Sequence, residues 1–311
     1  MASQDNDDLT FVTITSEDLR PASDKDYKCA PAKKFEDWSC IPLESLMAMA
    51  DAFNEENSGK NNQIRVDHKY KDLEPDRYKR YLLKQFKIKF KKCKDQICWT
   101  KQSFMKRLND LIKDDLENNT WLPEGPSKGN KWLDSKNIRS SLKQKEYVYN
   151  DFKSFGALPY DFSDLDLYGL KDIDFKKDLI DKGKTKIGMV INLDRHNEPG
   201  SHWTALYADF SQGECYFFDS YGYEPDFGEK EVENKEITKF MKRISDFIKN
   251  DLGKEPIVDY NKKRHQRGGS ECGVYSLSFI NRLLKGDKFA DINGQRVTDE
   301  EVNKCRDYYF A

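Results

Sequence analysis

The spacing of apolar and polar positions changes character near residue 120. Before it, the stretch LESLMAMADAFNEE (43–56) places apolar residues three and four apart, with Gly59 after it as a stop, which predicts a helix. Residues 60–112 are lysine-rich, with Tyr78, Tyr81, Leu82, Phe86, Ile88, Phe90, Phe104 and Leu108 interleaved, and we expect helices over about 76–92 and 101–117. Residues 1–42 carry Pro21, Pro31 and Pro42 on a polar background and read as a tail. The run LPEGPSKGN (122–130) reads as a linker.

Beyond the linker the pattern shortens. KIGMVINL (186–193), HWTALYADF (202–210) and ECYFFDS (214–220) predict strands, the last two joined by a turn at Gly213. Residues 229–250 repeat Ile237, Phe240, Met241, Ile244, Phe247 and Ile248 on a charged background and predict an amphipathic helix. A short strand follows at 256–259, a helix at 272–285 ending before Gly286, and a last helix opened by the capping box Thr298–Glu301. The sum is an α+β core domain over 121–311, behind a helical, basic arm domain over 43–120 and the tail over 1–42.

Composition narrows the class. The 311 residues hold 53 Lys and Arg against 55 Asp and Glu, a net charge of −2, so no global field draws the chain to nucleic acid or membrane. The first twenty residues are acidic and lack a secretory pattern, and no apolar run reaches bilayer length. Seven scattered cysteines, an odd number, suggest reduced thiols in a cytoplasmic compartment rather than a disulfide framework. Cys93 and Cys98 lack a second ligand pair nearby, so we expect helix packing there rather than zinc.

Three segments carry candidate chemistry: Gly200-Ser-His202-Trp203 opening one strand, Tyr216-Phe-Phe-Asp219-Ser-Tyr-Gly222 closing the next, and His265-Gln266-Arg-Gly-Gly-Ser-Glu-Cys272-Gly273 running into a helix. A nucleophilic sulfur must be a thiolate, which a helix N-terminus and a neighbouring imidazole both favour. The base needs a third group to orient it. A simple hairpin brings His202 and Asp219 to the same edge of a sheet. An oxyanion needs donors, which the backbone N–H of Cys272 and the amide of Gln266 would supply. His265, seven residues before Cys272, is the competing base. His196 and His68 have no evident partner in the sequence.

The order His–Asp–Gln–Cys, with HW entering a strand and Q-x5-CG entering a helix, resembles the ubiquitin-like-protein-specific proteases and the adenovirus protease. The pieces RHQ-x4-CG-x-YSL, VTDEEV, G-x-HW and FDSYG, with a weaker 132–162 stretch, are most similar to the polyprotein-processing proteases of African swine fever virus and other large DNA viruses. The resemblance covers about 125–311. It implies a papain-like core with a central mixed sheet flanked by helices, and a cysteine endopeptidase that needs no cofactor or metal. Cys272 would be nucleophile, His202 base and acid, Asp219 the orienting acid and Gln266 the oxyanion donor. Trp203 would cover the imidazole, and Trp203, Asn192 and Trp132 would contact substrate. The viral protease has an amide where this chain has Asp219; the ubiquitin-like-protein proteases have the acid.

The implied substrate is a polypeptide cut after Gly-Gly, in viral structural polyproteins during virion maturation, in host cytoplasm and virion. The basic arm would contact a capsid or core, or nucleic acid; its bland reading is a solvated face over an apolar core. Rival readings are deconjugation of a ubiquitin-like modifier, acyl transfer, for which no coenzyme A signature is present, and a non-catalytic scaffold.

Overall fold

A computed structural model describes residues 14–229, 231 and 234–311. The chain divides into two compact units, 1–122 and 123–311.

The first unit is helical. Its helices are α1 (Ser16–Leu19), α2 (Leu43–Glu56), α3 (Tyr70–Leu73), α4 (Pro75–Lys89) and α5 (Asp110–Asn118). Pro75 sits in the first turn of α4, where its missing N–H costs nothing. Tyr78, Leu82 and Phe86 recur every fourth residue along α4 and are fully buried with Leu46, Met49 and Ala50 of α2, Trp99 and Phe104. The aromatic residues of this unit therefore form its core. The helix expected over 101–117 breaks into 3-10 turns at Ile97–Lys101 and Ser103–Arg107, followed by α5. The cause is Asn109, whose side chain accepts the N–H of Ile112 at 2.9 Å and starts a new helix.

Residues 1–13 of the expected polar tail lie outside the described residues. The rest of it, from Ile14 to Pro42, is integrated into the unit. Ala30 N–H donates to the Thr120 carbonyl at 3.0 Å, and Cys29 pairs with Trp121 in an isolated antiparallel bridge. The lysines of α4 fasten the segment: Lys79, largely buried, donates to the Glu36 carbonyl at 2.8 Å, and Lys87 to the carbonyls of Asp18 and Arg20 at 2.9 Å each. Disulfides join Cys29 to Cys40 and Cys93 to Cys98, which corrects the expectation of reduced thiols and of simple helix packing at 93 and 98. Short spans close both pairs, across 11 and 5 residues.

The second unit is a five-stranded mixed sheet between helices. Its strands are β1 (Phe152–Leu158), β2 (Lys186–Asn192), β3 (Trp203–Asp209), β4 (Glu214–Phe218) and β5 (Ile257–Tyr260), in spatial order 1-2-3-4-5. The β1–β2 and β4–β5 pairs are parallel, and the inner pairs antiparallel. Its helices are α6 (Ser135–Lys145), α7 (Phe175–Asp178), α8 (Glu236–Asn250), α9 (Cys272–Leu284), α10 (Phe289–Gly294), α11 (Asp299–Lys304) and α12 (Arg306–Tyr309).

Side-chain alternation sorts the strands onto two cores. Val190, Ala205, Tyr207, Tyr216 and Phe218 pack with α6 and α9. Met189, Ile191, Leu206, Ala208, Cys215 and Phe217 pack with Phe175 and the apolar face of α8. With both faces covered, β3 is buried throughout, so its ends are held rigidly. The Ser276 hydroxyl of α9 donates to the Trp203 carbonyl at 3.2 Å, tying the helix to the start of β3.

Candidate active site

Three chain ends meet at one edge of this sheet. His202 is the residue before β3 and Asp219 the residue after β4, so the antiparallel pairing of Ala205 with Phe218 brings them together. His202 Nε2 lies 2.9 Å from Asp219 Oδ1, with both side chains largely buried. Cys272, the first residue of α9 and nearly fully buried, lies close enough to the same imidazole to act on its charge.

Burial alone would lower the His202 pKa. The Asp219 carboxylate and the Cys272 sulfur outweigh it and raise the imidazole to about 9. The imidazole is thus protonated at neutral pH. The side chain of Glu271, just before α9, does not cap the helix, so it leaves the first-turn N–H groups beside Cys272 uncovered.

Asp219 is fixed by a reciprocal pair with Asn261. Its N–H donates to Asn261 Oδ1 at 2.8 Å, and Asn261 Nδ2 donates to its carbonyl at 2.7 Å. Asn261 is fully buried. The turn after Asp219 then holds the loop before α9. The Ser220 carbonyl accepts the N–H groups of both His265 and Gln266, at 2.8 and 2.9 Å. Gly222 has φ +80°, and a Cβ there would lie 2.9 Å from the Lys263 carbonyl carbon, so only glycine lets the two segments approach.

Gln266 is fully buried; its Oε1 accepts the Ser220 hydroxyl at 2.7 Å and its Nε2 donates to the Gly268 carbonyl at 2.9 Å. A primary amide has two N–H groups, so a second donor remains. Asp299, in the VTDEEV run, accepts the N–H of Arg267 at 3.0 Å, that of Gly268 at 2.8 Å and the Tyr275 hydroxyl at 2.9 Å. That carboxylate pins the loop from behind.

His265, the rival base, is turned away from this work. Val297 N–H donates to its Nδ1 at 3.2 Å, and burial, with Lys263, Arg296 and Arg282 adding, lowers its pKa to about 4. His196 does have a partner, Asp161, at 2.6 Å. His68 lies in the first unit beside Asp51 at 3.7 Å.

The ring stacked on the imidazole is Tyr221, with centroids 4.9 Å apart and planes at 22°. It stands where the sequence suggested Trp203. The Trp203 indole instead donates to the Leu133 carbonyl at 2.9 Å within the core. Beside it runs a cleft of about 420 Å³ whose walls include Trp132, Leu133, Asn192, Gly200 and Trp203, so the three suggested substrate contacts share one cavity.

Sequence and structure comparisons bear on the family and the fold. Residues 174–311 match the Ulp1 protease family, C-terminal catalytic domain. The chain is 36% identical over 288 residues to a protein of Acanthamoeba polyphaga mimivirus that carries a thiol-protease name, covering 91% of this chain and 92% of the relative. It is 26% identical over 215 residues to a cysteine protease of African swine fever virus, covering 65% and 75%. The fold is similar to that of the crystal structure of the African swine fever virus protease, with a TM-score of 0.53 and 21% identity over 82% of this chain and 94% of that one. A five-stranded mixed sheet with a Cys, a His and an Asp gathered at its edge is what such a sequence builds here, and the chain belongs to the Ulp1 family of cysteine proteases.

Proposed function

We propose that Cys272 attacks the scissile carbonyl, with His202 as base and then acid, Asp219 as the group that orients and charges the imidazole, and Gln266 with the Cys272 N–H as oxyanion donors. The observation that carries this is the pair His202 Nε2–Asp219 Oδ1 at 2.9 Å, set beside Cys272 at the start of α9. An imidazolium beside the sulfur favours the thiolate and is already loaded with the proton the leaving amine needs. The buried amide of Gln266, its carbonyl held by Ser220, is preorganised for charge that appears only during reaction.

The substrate in this reading is a polypeptide cut after Gly-Gly in structural polyproteins of a large DNA virus. What supports it is the viral relatives, together with the cleft that Trp132, Asn192 and Trp203 line. The place of action would be host cytoplasm and virion. Among the described residues no helix is long and apolar enough to cross a membrane. The first unit, whose lysines partly serve to hold its own N-terminal segment, would contact a capsid or core, or nucleic acid, through those left over.

A second reading, removal of a ubiquitin-like modifier, draws support from 29% identity over 100 residues to the NEDD8-specific protease 1 of Schizosaccharomyces pombe. Cleavage of a Gly-Gly peptide panel beside folded modifier conjugates, by wild type and Cys272→Ala, separates them. Efficient peptide cleavage lost in the alanine form supports polyprotein processing. Cleavage confined to conjugates supports the second reading, and equal cleavage by the alanine form rejects both.

A further inference from the structure

The loop after Asp219 exposes aromatic rings that the catalytic residues do not explain. Tyr221 lies against the imidazole, Tyr223 lies 6.1 Å from Tyr221, and Phe227 stacks on Tyr223 at 4.0 Å with planes 5° apart. Tyr223 is 41% and Phe227 57% exposed. A single exposed aromatic needs no explanation, but a stacked pair on a built scaffold does.

The scaffold is Asp226. It is buried, and its backbone lies in the left-handed region at φ +57°, a conformation that costs energy for a non-glycine residue. Its carboxylate accepts the N–H groups of Ile237 at 3.1 Å and Thr238 at 2.8 Å, at the start of α8, and the Tyr160 hydroxyl at 2.7 Å. Tyr160 also bonds the Asn234 carbonyl. Gly222 fixes the other end of the loop against Lys263 and Arg264. Tyr223 lies between these two anchors, with Tyr221 directly before Gly222 and Phe227 directly after Asp226.

Their position relative to the reaction follows from the sheet order. The cleft with Asn192 and Trp132 lies on the β1–β2 side of His202, whereas Tyr221 leaves the end of β4 on the other side. The sulfur side of the pair abuts the cleft: a Cβ on Gly273 would lie 3.1 Å from Leu133, which lines it. The imidazole side abuts Tyr221. During acyl transfer the carbonyl carbon bonds to Cys272 Sγ, the carbon–nitrogen bond breaks, and the imidazolium proton goes to the nitrogen. The acyl portion therefore lies toward the cleft and the departing amine toward the rings.

We propose that Tyr221, Tyr223 and Phe227 form the wall that receives the substrate segment following the scissile bond, and that it selects an apolar or aromatic side chain there. This rests on Cys272 and His202 being the reacting pair.

The test uses the full chain and peptides identical before the bond, with Phe, Leu, Gly or Asp in the two positions after it. Wild type is compared with Tyr223→Ser/Phe227→Ser and with the conservative Tyr223→Phe. Wild type should favour Phe over Asp by about tenfold in kcat/KM, a typical yield of one apolar contact. The double serine variant should bring that ratio near one, and Tyr223→Phe should keep it. An unchanged ratio in the serine variant, or no preference in wild type, overturns the proposal. If wild type cuts no peptide and a peptide aldehyde also leaves Cys272 unlabelled, the reading of the catalytic pair fails first and the wall with it.

Discussion

The Ser220 hydroxyl donates to Gln266 Oε1 at 2.7 Å, deep inside the second unit. The Gly268 carbonyl, which can only accept, fixes which end of the amide is the donor, and the Ser220 bond holds the carbonyl end in place. It also joins the turn after β4 to the loop before α9, since the Ser220 carbonyl takes two N–H groups of that loop. Ser220→Ala should free the amide to rotate. We expect kcat to fall by about tenfold to a hundredfold with little change in KM, somewhat less than the roughly hundredfold to thousandfold typical of losing a whole oxyanion donor. Steady-state kinetics of Ser220→Ala beside Gln266→Ala check this, and a variant with unchanged kcat contradicts it.

The pH profile follows from His202. Its folded pKa of about 9 lies above the ordinary 6.5, so the protonated form is favoured by folding. The stability this adds is fully present below pH 6.5 and is lost as pH rises through 9. Activity should fall on the same alkaline limb, as the imidazolium loses its proton. Asp219→Asn removes the charge while burial remains, so the limb should move downward by more than about one pH unit. A kcat/KM profile from about pH 5 to 10 for both proteins measures it; coincident limbs contradict the assignment.

His265 works in the opposite sense. Burial, with nearby cations, lowers its pKa from 6.5 to about 4, so the folded protein prefers it neutral. The corresponding stability is present above pH 6.5 and is lost as pH falls through 4. His265→Gln, which cannot titrate, should lose less stability than wild type between those two pH values. Urea midpoints at about pH 7 and pH 4.5 give the comparison, and equal losses reject it.

The paired cysteines predict a thiol count. Cys29–Cys40 and Cys93–Cys98 leave Cys215, Cys272 and Cys305 free. Alkylation in denaturant without reductant should therefore label three thiols, and seven after reduction. Opening the Cys29–Cys40 link should destabilise the first unit by about 2–3 kcal/mol, the usual scale for a loop of this size. Seven labelled thiols before reduction contradict the pairing.

The helices over 43–56 and 272–285 and the strands around 186–193, 202–210 and 214–220 were legible because each is long, periodic and bounded by glycine or a capping residue. β1 was not, since Gly156 at φ +73° sits at a register shift inside FKSFGAL and breaks the alternation. α6 was missed because nine of its eleven residues are polar, which leaves only Ile138 and Leu142 to mark its buried face in the sequence. Among site residues, Cys272, His202, Asp219 and Gln266 stand at strand or helix ends with telling neighbours, so the sequence brings them forward. Asn261, Ser220, Tyr221 and Asp299 act through contacts across 42, 46, 19 and 31 or 32 positions or through ring stacking, and no local pattern announces them. The runs VTDEEV and FDSYG contain Asp299, Ser220 and Tyr221, but as sequence they assign those three residues no role. The cysteine pairs were missed because two of seven scattered thiols meet only when the segment before α2 folds back.

The central claim is that one sulfur is made nucleophilic by one imidazole. A Gly-Gly peptide vinyl ester incubated with wild type, Cys272→Ala and His202→Ala, followed by peptide mass mapping, tests it directly. The account predicts a single stoichiometric adduct on Cys272 in wild type, none in Cys272→Ala, and labelling slowed at least about a hundredfold in His202→Ala, at the low end of what a positioned acid–base group contributes. Labelling of another cysteine, or equal rates with and without the imidazole, would contradict it.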